Sequence, residues 1–94
     1  MEELNLSDRL RLIAGLIKKG SKVADIGTDH GYLPIFLVKS GITDRVIAMD
    51  VRKGPLKKAE DNTRAFCVFD QIELRLSDGL AALEKGEADT VTIS

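Results

Sequence analysis

Val23-Ala-Asp-Ile-Gly-Thr-Asp-His-Gly-Tyr-Leu-Pro34 reads as a short apolar strand, a tight loop and the opening of a helix. Val23, Ala24 and Ile26 supply the strand and Gly27 and Gly31 turn the loop. Pro34 suits a first helical turn, where its fixed φ and missing N–H do no harm. Two more apolar runs end in an acid: Val46-Ile-Ala-Met-Asp50 and Ile72-Glu-Leu-Arg-Leu-Ser-Asp78. Three βα units with a carboxylate at each strand's C-terminal end describe a ligand site along the top of a doubly wound parallel sheet.

The rest of the chain fits that frame. Leu6, Leu10, Ile13 and Ile17 fall on one helical face, which predicts a helix over about 6–19. Ser7 caps it, Lys18 and Lys19 complement its last turn, and Gly20 stops it. Strands are expected at 22–26, 45–49, 72–76 and 89–94. The run Leu33-Pro-Ile-Phe-Leu-Val38 is apolar nearly all round, the mark of a helix wedged against a sheet and closed here by Gly41. Gly54-Pro55 opens a helix with Leu56, Ala59, Thr63 and Phe66 inward. Its Lys57, Lys58, Asp61 and Arg64 face water, and Arg52, Lys53, Lys57 and Lys58 read as a solvated basic face ahead of an RNA contact. Ile72, Leu74 and Leu76 alternate with Glu73 and Arg75, as on an edge strand. A short helix is expected over 78–85, capped by Ser77 or Asp78 and ended by Gly86. Right-handed crossovers put the first strand near the centre, the second and third to one side and the fourth on its other flank. Such sheets have more than four strands, so the chain reads as the front half of a domain, cut after the fourth.

Ninety-four residues make one small domain. Fourteen basic and fifteen acidic side chains leave a net charge of -1, so no global field draws nucleic acid. The single Cys67 excludes an internal disulfide, suits a reducing cytoplasm, and reads as a buried small hydrophobe. The acidic start Met1-Glu-Glu-Leu-Asn5 does not resemble a signal peptide, and no apolar run is long enough to span a bilayer. A soluble cytoplasmic protein is expected, with no metal site.

The loop carries the chemistry. A dinucleotide fold offers glycines and a helix N-terminus to a pyrophosphate, but here Asp29 stands where the middle glycine belongs. A carboxylate facing a diphosphate costs several kcal/mol, on an order-of-magnitude Coulomb estimate. S-adenosylmethionine has no phosphate, and its sulfonium and ammonium groups are helped by acids. Gly27 and Gly31 let the backbone approach such a ligand. Asp50, with Val51 beside it, follows at the distance of an acid that grips ribose hydroxyls. Asp78 is placed to accept from an adenine amino group, and Gly79 leaves room for the ring. Asp25 holds the loop or reaches the methionyl ammonium. Bland readings compete: Asp50 as a turn residue, Asp78 as a helix cap, His30 as a polar loop residue ahead of a general base, and Tyr32 as packing over the helix start.

Taken together, Ala24-Asp-Ile-Gly-Thr-Asp-His-Gly-Tyr-Leu-Pro34, Gly54-Pro55 with Ala59 and Asn62, and Arg75-Leu-Ser-Asp-Gly-Leu80 resemble the bacterial tRNA (adenine-N1)-methyltransferase family. Leu6-Ser-Asp-Arg-Leu10 is similar to that family's N-terminus. The resemblance implies transfer of a methyl group from S-adenosylmethionine to N1 of a tRNA adenine. It implies cofactor roles for Asp25, Gly27, Asp29, Gly31, Asp50, Asp78 and Gly79, and the adjoining Thr28 and Val51 are candidates beside them. Asp29, His30 and Tyr32 lie nearest the methyl group and line the substrate side. It also implies a longer protein, with a glycine-rich turn after the fourth strand and a C-terminal helical extension for tRNA, so the 94-residue piece is expected to be inactive by itself. The alternatives are a class I methyltransferase acting on a small molecule or protein, and a non-catalytic nucleotide-binding domain. Without a partner on its outer side, strand 89–94 is expected to drive self-association.

Overall fold

The structure, a computed structural model, describes residues 6–93. Met1–Asn5 and Ser94, and the expectations that fall on them, lie outside the described residues. The elements run α1 (Asp8–Leu16), β1 (Val23–Ile26), α2 (Tyr32–Lys39), β2 (Val46–Asp50), α3 (Lys53–Ala65), a 3-10 turn (Phe69–Gln71), β3 (Ile72–Leu76) and β4 (Thr90–Ile93). The four strands are parallel in the order β3-β2-β1-β4, the arrangement expected from right-handed crossovers.

Two apolar layers sandwich the sheet, as alternation along its strands requires. Val23, Val46, Ala48 and Ile72 face α1 and α2 and pack with Leu33, Ile35, Leu37 and Phe66. Ala24, Ile47 and Met49 face the other way, against Leu83 and Ala88 of the β3–β4 connection. All five residues of β2 are buried. β1 and β2 therefore form a rigid centre whose upper ends carry the loop described below.

Helix ends explain most of the boundaries. The Ser7 hydroxyl caps α1 by accepting the Leu10 N–H at 3.3 Å, but the helix stops at Leu16, short of 19. Lys18 and Lys19 consequently lie beyond its last turn, and the Gly20 N–H donates to Ile42 O at 2.8 Å instead. α2 closes with Gly41 in the left-handed region, its N–H bonded to Val38 O and that of Ile42 to Leu37 O. This is a Schellman cap. α3 closes in the same way, with Cys67 N–H on Arg64 O and Val68 N–H on Thr63 O. Cys67 thus occupies the glycine position, at φ 61°, and is exposed. The expectation of a buried cysteine is corrected: the cap turns the side chain outward while Phe66 and Val68 go in.

The helix expected over 78–85 is absent, and residues 77–88 form successive turns. Arg75 explains this. Its guanidinium takes the Ala82 carbonyl at 2.8 Å and both carboxylate oxygens of Glu87, and Glu87 in turn accepts the Glu84 N–H at 2.7 Å. Backbone groups that a short helix would pair internally are claimed by side chains, and a segment this short has little intrinsic tendency to nucleate. The Glu87 carboxyl is held down at about 2, chiefly by the Arg75 guanidinium and then by the Glu84 N–H. Asp89 starts β4 by a clasp with Lys22: its carboxylate accepts the Lys22 N–H at 3.1 Å and its own N–H donates to Lys22 O at 2.9 Å.

The strained cap gives a direct check. A left-handed non-glycine residue costs about 1–2 kcal/mol, part of which glycine returns as chain entropy. Cys67→Gly is therefore expected to stabilise the chain by roughly 1 kcal/mol, read as a higher denaturant midpoint at unchanged slope. An unchanged or lower midpoint would mean that the cap is not strained.

Candidate functional site

At the top of the sheet the Asp50 side chain is almost entirely buried, with 2% of its surface exposed. Its Oδ2 accepts the Asp29 N–H at 3.1 Å, and its Oδ1 accepts the Arg52 N–H at 3.0 Å and, more weakly, Arg52 Nε at 3.4 Å. Burial would raise its pKa. The N–H groups of Arg52 and Asp29, with the Arg52 guanidinium, outweigh that and hold it below the usual 3.8. The bond to Arg52 N–H is an Asx turn, the local bond that favours aspartate just before a chain reversal.

The bond to Asp29 fixes the loop after β1. Asp29 has φ 56°, a left-handed conformation that aspartate tolerates better than most residues. Thr28 N–H donates to Met49 O at 2.8 Å, and Gly31 N–H returns to Thr28 O at 2.9 Å. The two loop glycines do different work. A Cβ built on Gly27, at φ 68°, meets nothing within 4 Å, so that side of the loop is open. A Cβ built on Gly31, at φ 78°, lies 3.2 Å from Ala59 Cβ. Gly31 is thus needed where α2 begins against α3. The Asn62 amide accompanies this contact by donating to His30 O at 2.9 Å.

A cavity of about 330 Å³ is lined by Arg9, Gly27, Thr28, Asp29, His30, Tyr32 and Arg52 among others. Thr28 is buried, yet its hydroxyl has no hydrogen-bond partner among the described residues. Such a group costs about 1–3 kcal/mol unless a ligand or water satisfies it. Asp29 is more than half exposed, 3.6 Å from His30 Nδ1 and 4.0 Å from the Arg52 guanidinium. The His30 and Tyr32 rings lie 5.5 Å apart at 44°.

The remaining candidates surround this cavity. Asp25 is fully buried in β1, and its Oδ1 accepts the Thr92 hydroxyl of β4 at 2.6 Å. Val51 is 60% exposed just past Asp50. Ser77 N–H donates to Asp50 O at 2.9 Å, which brings the β3 end, with exposed Asp78 and half-buried Gly79, beside the β2 end. Ser77 rather than Asp78 caps the turns that follow, accepting the Ala82 N–H at 3.0 Å. Three residues were missed from the sequence. Arg52 was grouped with a basic helix face but folds back on Asp50, a move its position two residues after that acid could have signalled. Thr92 is known only from strand register, which sets Asp25 opposite it. Arg9 was seen only as part of the N-terminal helix. Lys57, by contrast, does face water, paired with Glu60 and Asp61.

The donors and acceptors suit S-adenosylmethionine: acids at the strand ends, an open glycine, an unpartnered hydroxyl, and a carboxylate where a diphosphate would need a bare backbone. Among the described residues no group of His, Cys, Asp and Glu could hold a metal ion, and no helix is long and apolar enough to cross a membrane.

If Gly31 is required by packing, Gly31→Ala is expected to lose roughly 1 kcal/mol or more of stability beyond the loss in Gly27→Ala, which bears only backbone strain. Equal losses by chemical denaturation would remove the Ala59 contact from this account.

Known proteins share this fold. Over its whole length the chain is 39% identical to the tRNA (adenine(22)-N(1))-methyltransferase of Bacillus subtilis, of which it covers 40%. M. capricolum TrmK, solved with S-adenosyl-homocysteine, is 43% identical with a TM-score of 0.88, over 94% of this chain and 40% of that one. A Streptococcus pneumoniae protein solved with S-adenosyl-L-methionine is 38% identical with a TM-score of 0.90, over 96% of this chain and 42% of that one. The chain thus spans about two-fifths of these relatives' length. A family model described as a methyltransferase domain matches residues 6–94, and the chain belongs to that family.

Proposed function

We propose that residues 1–94 are the cofactor-holding half of an S-adenosylmethionine-dependent methyltransferase that modifies N1 of an adenine in tRNA. The observation that carries this reading is the loop 27–31, with Asp29 left-handed and its N–H bound by the buried Asp50 carboxylate. That loop offers a carboxylate and an open glycine to a ligand, an arrangement suited to a cation and hostile to a diphosphate. The likeness to the Bacillus subtilis enzyme supports the choice of tRNA and, with it, a cytoplasmic setting.

When bound, S-adenosylmethionine supplies an electrophilic methyl group on its sulfonium. The chain's part is to hold and orient. Asp50 accepts ribose hydroxyls, for which the long Arg52 Nε contact at 3.4 Å is the replaceable one. Asp78 accepts from the adenine amino group, with Val51 and Gly79 beside the ring. Asp25, braced by Thr92, supports the loop from beneath. Asp29, His30 and Tyr32 form the substrate side. N1 of adenine has its own lone pair, so alignment and exclusion of water matter more than a strong base. N1 also lies on the Watson–Crick edge, so the target base must be unpaired or flipped out.

In the isolated chain β4 is the outer strand of the described sheet, with Val91 45% and Ile93 73% exposed. An edge without proline or lysine is open to pairing, and we propose that residues 1–94 taken alone associate through it. A monomer by sedimentation, with freely exchanging amides from Thr90 to Ile93, would refute it.

Titration calorimetry tests the main reading. S-adenosylhomocysteine should bind and NAD should not. Asp50→Ala should weaken S-adenosylhomocysteine by roughly 2 kcal/mol, with Asp50→Asn recovering part of that. Gly27→Val should abolish binding by filling the open side of the loop, and His30→Ala should cost much less. Preference for NAD, or unchanged binding in a folded Asp50→Ala protein, would overturn the assignment.

A further inference from the structure

A second cavity, of about 260 Å³, is lined by His30, Tyr32, Lys58, Asp61 and Asn62. His30 and Tyr32 line the first cavity as well, so the two meet at these rings. The rings lie 5.5 Å apart, and Tyr32 is 39% exposed. The other wall comes from α3 and is fastened to the loop, because the Asn62 amide donates to His30 O at 2.9 Å. Asp61, the cavity's acid, is already taken by Lys57 at 3.2 Å. Lys58 is exposed and has no hydrogen-bond or ion-pair partner among the described residues. Of Arg52, Lys53, Lys57 and Lys58, which read from sequence as one solvated face, only Lys58 lines this space. The cavity falls short of the roughly 300–1,000 Å³ usual for a whole small-molecule ligand, and suits one unit of a larger molecule. Exposed rings beside an unpaired cation are what hold a single-stranded nucleotide, the rings by stacking on its base and the cation by meeting its phosphate.

We propose that this second cavity holds the nucleotide next to the target adenine, its base stacked on Tyr32 and the phosphate between the two nucleotides at Lys58. This deepens the tRNA reading above and rests on it. A base drawn out of a helix leaves its neighbour unstacked on one side. A ring where the two cavities meet restores that stacking, which offsets part of the cost of extrusion. Lys58 adds a phosphate contact that carries no sequence information and fixes the register of the strand against the loop. Because every base has a face to stack, the subsite accepts any neighbour of the target.

The test uses the whole methyltransferase of which residues 1–94 are proposed as the cofactor-holding half. Binding of a tRNA stem-loop is followed by fluorescence anisotropy against salt, and binding of S-adenosylhomocysteine by calorimetry. Lys58→Ala is expected to weaken the stem-loop about fivefold and to lower the slope of log affinity against log salt by about 0.7, one phosphate's share on a single strand. Its S-adenosylhomocysteine affinity should not change. Tyr32→Leu is expected to weaken the stem-loop about tenfold, while Tyr32→Phe, which keeps the ring, binds as the wild type does. Of two stem-loops made abasic on either side of the target adenine, one should bind Tyr32→Leu and the wild type alike. An unaltered salt slope in Lys58→Ala, or a Tyr32→Leu loss that survives both abasic substitutions, would overturn the proposal. So would equal losses of stem-loop and S-adenosylhomocysteine in Lys58→Ala, which mark an effect through the fold. A nucleoside monophosphate bound as tightly as the stem-loop would give the cavity to a small ligand instead. A wild-type protein that binds S-adenosylhomocysteine but no RNA would remove the tRNA reading itself, and this inference with it.

Discussion

A single buried carboxylate organises the upper end of this sheet. Asp50 ends the wholly buried strand β2, where an ion without donors would cost several kcal/mol. The chain meets that cost with the N–H of Asp29, from the loop after β1, and the N–H of Arg52, at the start of α3. The loop after β1, distant in sequence, and the start of α3, two residues on, are thereby held to one side chain. Their arrangement is ready before a ligand arrives, which limits the ordering that binding must bring about.

The surrounding polar contacts serve the same end. Asp25 is buried one strand away and bound by Thr92, which ties β4 to β1 below the loop. Asp89 and Lys22 join the same two strands at their start. Arg75 binds the β3–β4 connection to β3 through Ala82 and Glu87, so that the segment carrying Asp78 and Gly79 leaves the sheet at a defined place. The loop itself remains open at Gly27 and closed at Gly31. Two glycines four residues apart thus answer to different neighbours.

Strand order, parallel pairing and the three strand-end acids were legible in the sequence because they depend on apolar runs and on the handedness of crossovers. The position of Asp29 was legible too, since an acid in a glycine's place is a local fact. What escaped depends on pairings between distant residues. Nothing near residues 78–85 announces that Arg75 and Glu87 will claim their backbone, so capping residues there suggested a helix that does not form. Cys67 looked apolar and was expected inside, whereas its place in the cap of α3 turns it outward. Arg52 and Arg9 looked like ordinary surface cations until the fold set both beside Gly27 and Thr28.

The role given to Asp50 can be read from a single proton. In a pH titration followed by nuclear magnetic resonance, the Asp29 amide should shift as Asp50 takes up its proton, with a midpoint below 3.8. Above that midpoint the carboxylate is charged and the bond is present; below it the bond weakens and the loop is released. An Asp29 amide that ignores pH, or that follows a group titrating at or above 3.8, would contradict the claim that this carboxylate holds the loop.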